Sequence, residues 1–377
     1  MLVLCLTRRG CRRLSVTLCV CVCRSIMIRC VSLLSTRHPS LFCCHISDFA
    51  SRMRLLNRLK EDDEACVSAL QSGSIFLFHL LRPLVCPTEG GGLTPVRLSW
   101  TSLTSVLQRL SSDRSLLNES VLIGLSEQNQ NQAQFCLDVG VLDPVAVEAE
   151  CDGTFVDMRK AFFLLTGSAA PFVAKGQALL RWHQETKFCS SSGRPTQRNR
   201  AGSLRVCGSI TYYPKMSPVV IVLVSDGKRC LLSRQMSFPP GLYSALAGFC
   251  DMGESLEESL RREVAEEVGL EVCRFSFSGS QHWPFPQSSF MIGCHAHVNP
   301  AHTEPPPTHS DPLMSQLSVD WSELEDARWF SLEEIDHALQ VQHPIRGEPQ
   351  VMWFPPKHAI AHRLIREWVE LQRAQSS

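Results

Sequence analysis

No acidic side chain occurs before Asp48, yet Arg8, Arg9, Arg12, Arg13, Arg24, Arg29 and Arg37 stand there among Ser, Leu and Val. An arginine-rich, serine-containing and acid-free start has the composition of a mitochondrial transit peptide. The competing reading is a secretory signal, with Arg8–Arg13 as its basic region and Leu14–Cys23 as its apolar stretch. Arginines continue well past that stretch, which favours mitochondria, with the matrix as the destination. Long apolar runs are lacking too: Leu14–Cys23 falls short of the ~20 residues that cross a bilayer, so no membrane partner is expected. Net charge is absent, with 37 basic and 37 acidic residues, so nothing in the whole-chain balance points to nucleic acid or a membrane surface as a bulk electrostatic partner. A disulfide framework is also missing. Eight of the 18 cysteines lie before Asp48, and the other ten are scattered without regular spacing, as suits a reducing compartment. There is no internal repeat.

A chain of 377 residues is long enough for two domains with cores of their own. Setting aside residues 1–50 as leader, residues 51–187 read as a smaller domain of mixed elements. Val121–Leu125 and Phe135–Val139 are strand-like, while Met158–Leu164 and Ala169–Trp182 carry helical apolar spacing. No catalytic constellation falls within this domain, so a scaffold or dimerisation role is expected. Residues 188–213 begin with a polar run rich in Ser, Arg and Gly that marks a boundary. In residues 214–377, the apolar runs Pro218–Val224 and Lys228–Ser233 flank Ser225-Asp226-Gly227, a hairpin signal. The proline-rich segment Asn299–Leu317 reads as a surface loop. Ile360, Leu364 and Trp368 recur at helical spacing and predict a terminal amphipathic helix.

The chemistry is concentrated between Gly248 and Leu270, in the order Gly248, Glu254, Arg262-Glu263-Val264, Glu266-Glu267 and Gly269-Leu270. Ser255 followed by Glu258 is a capping-box start and Gly269 a C-terminal stop, so 256–268 should form one helix. Leu256, Leu260, Val264 and Val268 then make one apolar stripe. Glu263, Glu266 and Glu267, at i, i+3 and i+4, cluster on an adjacent face. Like charges this close repel one another, and hard divalent cations relieve the repulsion; oxygen-only ligands suit Mg²⁺ or Mn²⁺. A solvated acidic helix face is the bland explanation of such spacing. It would leave the glycine-bearing loop, Arg262 and Glu254 as coincidences. Arg262 and Glu254 read as a buttressing pair between loop and helix, and Gly248 and Gly253 as positions where the backbone turns sharply or comes close to a ligand. Metal ions held at such a cluster would neutralise anionic charge on a ligand and acidify bound water. The spacing does not say which glutamate, if any, acts as the base.

These positions, glycine, five residues, glutamate, seven residues, then Arg-Glu-apolar-x-Glu-Glu-x-Gly-apolar, resemble the Nudix box throughout. Downstream, Ser280-Gln281-His282-Trp283-Pro284-Phe285-Pro286-Gln287-Ser288 is similar to the Ser-Gln-Pro-Trp-Pro-Phe-Pro-x-Ser run of the NADH pyrophosphatase branch, with His282 in place of a proline. The alternation of proline and aromatic residues predicts an extended backbone presenting Trp283 and Phe285. The resemblance runs from about Met53 to Leu371 and takes in Trp182-His183, Tyr212-Tyr213-Pro214, Glu323, and Ala361 before Arg363-Leu364-Ile365. It implies an α/β/α Nudix sandwich with a mixed sheet behind a smaller mixed α/β domain. It further implies Glu263, Glu266, Glu267 and Glu323 as metal ligands, and Tyr213, Ala247, Gln281 to Ser288 and Ala361 as dinucleotide contacts. A homodimer and cleavage of NADH or NADPH to reduced nicotinamide mononucleotide plus AMP, or its 2′-phosphorylated form, are implied as well.

Relatives carry a zinc ribbon with two Cys-x-x-Cys pairs; here Cys189 is followed by Ser192 and Cys207 by Ile210. Two thiolates do not complete a tetrahedral structural site, so zinc is not expected. Two other readings remain open at this point. One is a Nudix hydrolase for ADP-ribose, dinucleoside polyphosphates or NAD-capped RNA, although no Lys/Arg run flanks the pocket residues, as a nucleic-acid groove would require. The other is a catalytically silent nucleotide-binding module, which would not need all the carboxylates.

Overall fold

The computed structural model describes residues 40–126, 131–165, 169–299, 317–340 and 352–376. Residues 1–39, most of the expected leader, and 300–316, most of the proline-rich segment, lie outside them. Two compact units are distinguished, Met1–Leu55 and Leu56–Ser377. The described part of the first is helical, within α1 (Ser40–Glu61).

The second unit starts with α2 (Asp63–Ser72), β1 (Ser74–His79), β2 (Arg82–Pro87), β3 (Leu93–Pro95), β4 (Leu98–Ser99) and α3 (Trp100–Arg109). It continues through β5 (Val121–Leu125), β6 (Ala133–Asp138), α4 (Pro144–Cys151), β7 (Thr154–Phe155), α5 (Met158–Leu164) and α6 (Ala169–Glu185). The strands form a mixed sheet in the order β3-β2-β1-β6-β5, with β1 and β6 parallel. Side chains alternate along a strand, and β1 shows what this does. Ile75 and Leu77 enter a core with Cys66, Leu70, Leu103 and Val147, whereas Phe76 and Phe78 enter another with Phe162, Val173 and Ala174. Helices cover both faces, so this domain has three layers.

The polar boundary stretch is itself folded. β8 (Gln197–Arg198), β9 (Arg205–Cys207) and β10 (Ile210–Tyr212) form a small antiparallel sheet. Polar contacts hold much of it in place. Arg198 donates to the carbonyls of Glu119, at 2.8 Å, and Ser120, while Arg205 donates to Thr196. His183 on α6 bonds the Gly202 carbonyl at 2.9 Å.

Then follow β11 (Ser217–Ser225), β12 (Cys230–Gln235), β13 (Leu246–Phe249), α7 (Leu256–Val268), β14 (Val272–Trp283), β15 (Ser289–Val298), β16 (Leu324–Phe330), α8 (Leu332–Gln340) and α9 (Ile360–Ser376). The sheet order is β14-β15-β11-β12-β16, with β13 on β11, and β11 runs parallel to β15. β11 is apolar from Val219 to Val224 because both its faces are covered. Val220, Val222 and Val224 pack with Leu260, Val264 and Val268 of α7; Val219, Ile221 and Leu223 pack with Leu364, Ile365 and Trp368 of α9. This is the expected α/β/α sandwich. Full burial of each such side chain contributes ~1.5–3 kcal/mol. At the β11–β12 hairpin, Gly227 has φ +95°, and the Asp226 carboxylate accepts the amides of Lys228 and Arg229 at 2.9 and 2.7 Å.

Candidate active site

α7 begins and ends where its caps dictate. The Ser255 hydroxyl accepts from the Glu258 amide, the Glu258 carboxylate accepts from the Ser255 amide, and Gly269 closes the helix at φ +71°. A Cβ at Gly269 would also lie 2.6 Å from that of Ser318, so glycine lets the following loop press against the helix end. There, Ser318 and Asp320 amides bond the carbonyls of Val268 and Glu267 at 3.1 and 2.9 Å. This brings Glu323, in the turn before β16, to the carboxylates of α7, whose ionisation it opposes.

Arg262 joins helix to loop. Its Nε donates to Glu254 at 2.6 Å, and Nη1 donates to Glu263 and Glu266 at 2.9 Å each. Nη2 donates to the Phe249 carbonyl at 2.8 Å and to Glu254 at 2.9 Å. Glu254 also accepts from the Ser259 hydroxyl and the Asp251 amide, at 2.6 and 2.8 Å. Arg262, Ser259 and the Asp251 amide, in that order, pull the Glu254 carboxyl down to about 2.

The environment of Glu263 and Glu267 is the reverse. Burial raises both, and for Glu267 the nearby Glu263, Glu323 and Glu266 push it further, to about 8. Glu267 Oε2 is buried with no hydrogen-bond partner. Gly248 is what admits Glu263: a Cβ there would lie 1.8 Å from the Glu263 carboxyl carbon. β13 carries Gly248 opposite Val220 and Ala247 opposite Ile221, so this close approach is fixed by strand register. The donor set fits a hard divalent cation on three counts: oxygen-only ligands, mutual repulsion, and an unpartnered buried oxygen. As the side chains stand, no three acidic, His or Cys groups among the described residues converge on one point. Arg262 holds Glu263 and Glu266 instead.

The other predicted residues separate into three sets. Tyr213, His282, Gln287 and Ser288 line a cleft of about 880 Å³, together with Lys175 and Trp182 of α6. Burial, then Lys175, lowers the pKa of His282. Gln281 is spent on structure: its side chain donates to the His358 carbonyl at 2.6 Å and accepts the Ile360 amide at 2.8 Å, fixing the start of α9. Ala361 is buried in that helix's first turn. Trp283 and Phe285 do not line the cleft. They meet Phe162 of α5 edge-on, at 5.0 and 5.8 Å between ring centroids. The extended backbone expected for this run ends at Trp283; residues 285–287 turn towards β15. Arg181 of α6 donates to the carbonyls of Pro284, at 3.4 Å, and Pro286 in that turn.

Sequence reasoning missed the contribution of α6 to the cleft. A signal exists: Pro171, Lys175, Ala178, Trp182 and Glu185 recur every three or four residues, and all line it. Lys215, on the segment entering β11, lines it too. In the ribbon, Tyr212 donates to the Cys189 sulfur at 3.1 Å and Ser192 lies 3.7 Å from that of Cys207, so hydroxyls stand beside both thiols. Ile210 offers no donor atom, and the set does not fit tetrahedral zinc.

Two family descriptions match the chain: a NUDIX domain over residues 215–363 and an NADH pyrophosphatase-like rudimentary NUDIX domain over residues 72–182. The chain is 48% identical over 351 residues to the human protein named NAD(P)H pyrophosphatase NUDT13, mitochondrial, covering 89% of this chain and 96% of that one. It is 35% identical to human NAD-capped RNA hydrolase NUDT12, over 68% of this chain and 54% of that one. NAD-capped RNA hydrolase NudC of Mycobacterium tuberculosis is 34% identical, over 60% of this chain and 69% of that one. With both domain matches in sequence order and the Nudix box intact on α7, the chain belongs to the Nudix hydrolases, in the branch that carries an NADH pyrophosphatase-like domain ahead of the catalytic one.

Proposed function

We propose that the protein hydrolyses the pyrophosphate of NADH and NADPH, releasing reduced nicotinamide mononucleotide and AMP or its 2′-phosphorylated form. The observation that carries this reading is the carboxylate cluster, above all Glu267, which is buried, unpartnered at Oε2 and surrounded by three other glutamates. Glu263, Glu266, Glu267 and Glu323 would hold Mg²⁺ or Mn²⁺. When bound, such ions neutralise phosphate charge and acidify water. Glu254 keeps its negative charge and anchors Arg262, so the loop from Gly248 to Glu254 stays against α7. The name of the human relative supports the choice of dinucleotide and a mitochondrial location.

Incubation of the purified protein with NADH, NADPH, NAD⁺, NADP⁺ and ADP-ribose, in Mg²⁺ or Mn²⁺, tests the reading by product chromatography. Reduced mononucleotide and AMP from NADH, abolished by chelator, is the expected result. Turnover of ADP-ribose alone would remove the dinucleotide assignment.

A further inference from the structure

The cleft beside α6 contains charge that the hydrolytic reaction does not require. Lys175 of α6 and Lys215 of the segment entering β11 both line it, with Arg181 and one acid, Glu185. Arg181 is engaged by the carbonyls of the 284–286 turn. Among the described residues neither Lys175 nor Lys215 has an ion pair. Both side chains are exposed at the cleft wall, and partial desolvation of the Lys175 ammonium, followed by the nearby cation Lys60, lowers its pKa. Two exposed ammonium groups without an ion pair among the described residues, in a cleft that also presents the rings of Trp182 and Tyr213, suit a ligand that is both flat and anionic.

None of the four glutamates assigned to the metal lines this cleft. The two regions are nevertheless joined through β11. Pro218 lines the cleft, and its carbonyl accepts the Cys250 amide at 3.1 Å, two residues beyond Gly248, which packs on Glu263. In a nicotinamide dinucleotide the pyrophosphate charge would be met at the carboxylate–metal end. One further anionic group occurs in this substrate class, the phosphate ester on the adenosine ribose, which carries roughly −1.5 to −2 charges near neutral pH.

We propose that Lys175, aided by Lys215, binds the 2′-phosphate of the dinucleotide, so that the NADH pyrophosphatase-like domain supplies a specificity-determining residue through α6. The inference rests on the pyrophosphatase reading given above. Lysine suits the task as a compact charge on a flexible stem, able to reach a phosphate monoester that is present in one substrate and missing from the other.

The ratio of kcat/KM for NADPH to that for NADH tests it in the full chain with Mg²⁺. Lys175→Met, which keeps the apolar stem, should lower the ratio about tenfold or more, the scale of one lost charge-assisted hydrogen bond. Lys175→Arg should recover most of it. An unchanged ratio in Lys175→Met, or an equal fall for both substrates, overturns the proposal. A second readout is independent of turnover: calorimetric binding of adenosine 2′,5′-bisphosphate and 5′-AMP to the metal-free protein. The wild type should prefer the bisphosphate, and Lys175→Met should lose that preference; no preference in the wild type also overturns it. Should the wild type hydrolyse neither dinucleotide, the pyrophosphatase reading falls, and this binding comparison alone decides the role of Lys175.

Discussion

Single side chains here are set by what stands against them, and Glu254 and Glu267 show opposite outcomes of that rule. Both belong to the box, yet Arg262 lowers one to about 2 while burial and three neighbouring carboxylates raise the other to about 8. Away from the site, His183 is tuned by the same means. Burial, followed by Arg198, lowers it to about 4 from an ordinary 6.5. Its Nδ1 lies 3.0 Å from an Arg205 guanidinium nitrogen and its Nε2 2.9 Å from the Gly202 carbonyl, so the neutral ring accepts from one and donates to the other. A second ring proton would face the guanidinium. Because the unfolded chain binds that proton more tightly, this contribution to stability is fully present above pH ~6.5 and lost as pH falls towards ~4. Between pH 7 and pH 5 the loss should be roughly 2 kcal/mol. Urea midpoints at the two pH values measure it: the wild type should drop further than His183→Gln, and equal drops would show that the histidine does not hold the ribbon on α6.

At the scale of elements, legibility followed how local the determining interactions are. α7 could be read from Ser255 to Gly269 because both caps and the apolar stripe lie within the helix itself. The β11–β12 hairpin was equally open, since the turn is made locally by Ser225, Asp226 and Gly227. α5 spans Met158–Leu164 as its spacing predicts. The aromatic-proline run was read only in part. Its prolines suggest extension, but Phe162 comes from more than 100 residues earlier, and the 284–286 carbonyls turn to meet Arg181 of another helix. No local pattern carries that information. The ribbon was hidden for a related reason: polar contacts of Arg198 with the distant carbonyls of Glu119 and Ser120 help hold it, so it lacks the apolar periodicity that marks a strand. The acidic cluster was legible as spacing, whereas the orphaned oxygen of Glu267 and the space left by Gly248 exist only once β13 lies against α7.

For the molecule as a whole, the two domains meet through an aromatic joint, Phe162 with Trp283, Phe285 and His358, the last at 4.7 Å. The cleft shares its walls between α6 and the segments around β11, so the domain that lacks a catalytic constellation still shapes what can bind. Native mass spectrometry of protein recovered from mitochondria reads three properties of the assembly together. The expected species is a dimer, free of zinc, whose chains begin near residues 45–53. Intact Met1, stoichiometric zinc or a monomer would each remove the corresponding assignment. The central claim is that the carboxylate cluster directs water to phosphorus, and hydrolysis of NADH in oxygen-18 water tests it most directly. One labelled oxygen should enter a single mononucleotide product per turnover, and Glu267→Gln should slow its appearance by about a hundredfold or more while binding of the dinucleotide changes little. Label in neither phosphate product, release of free nicotinamide, or near-normal turnover by Glu267→Gln at saturating metal would contradict the account.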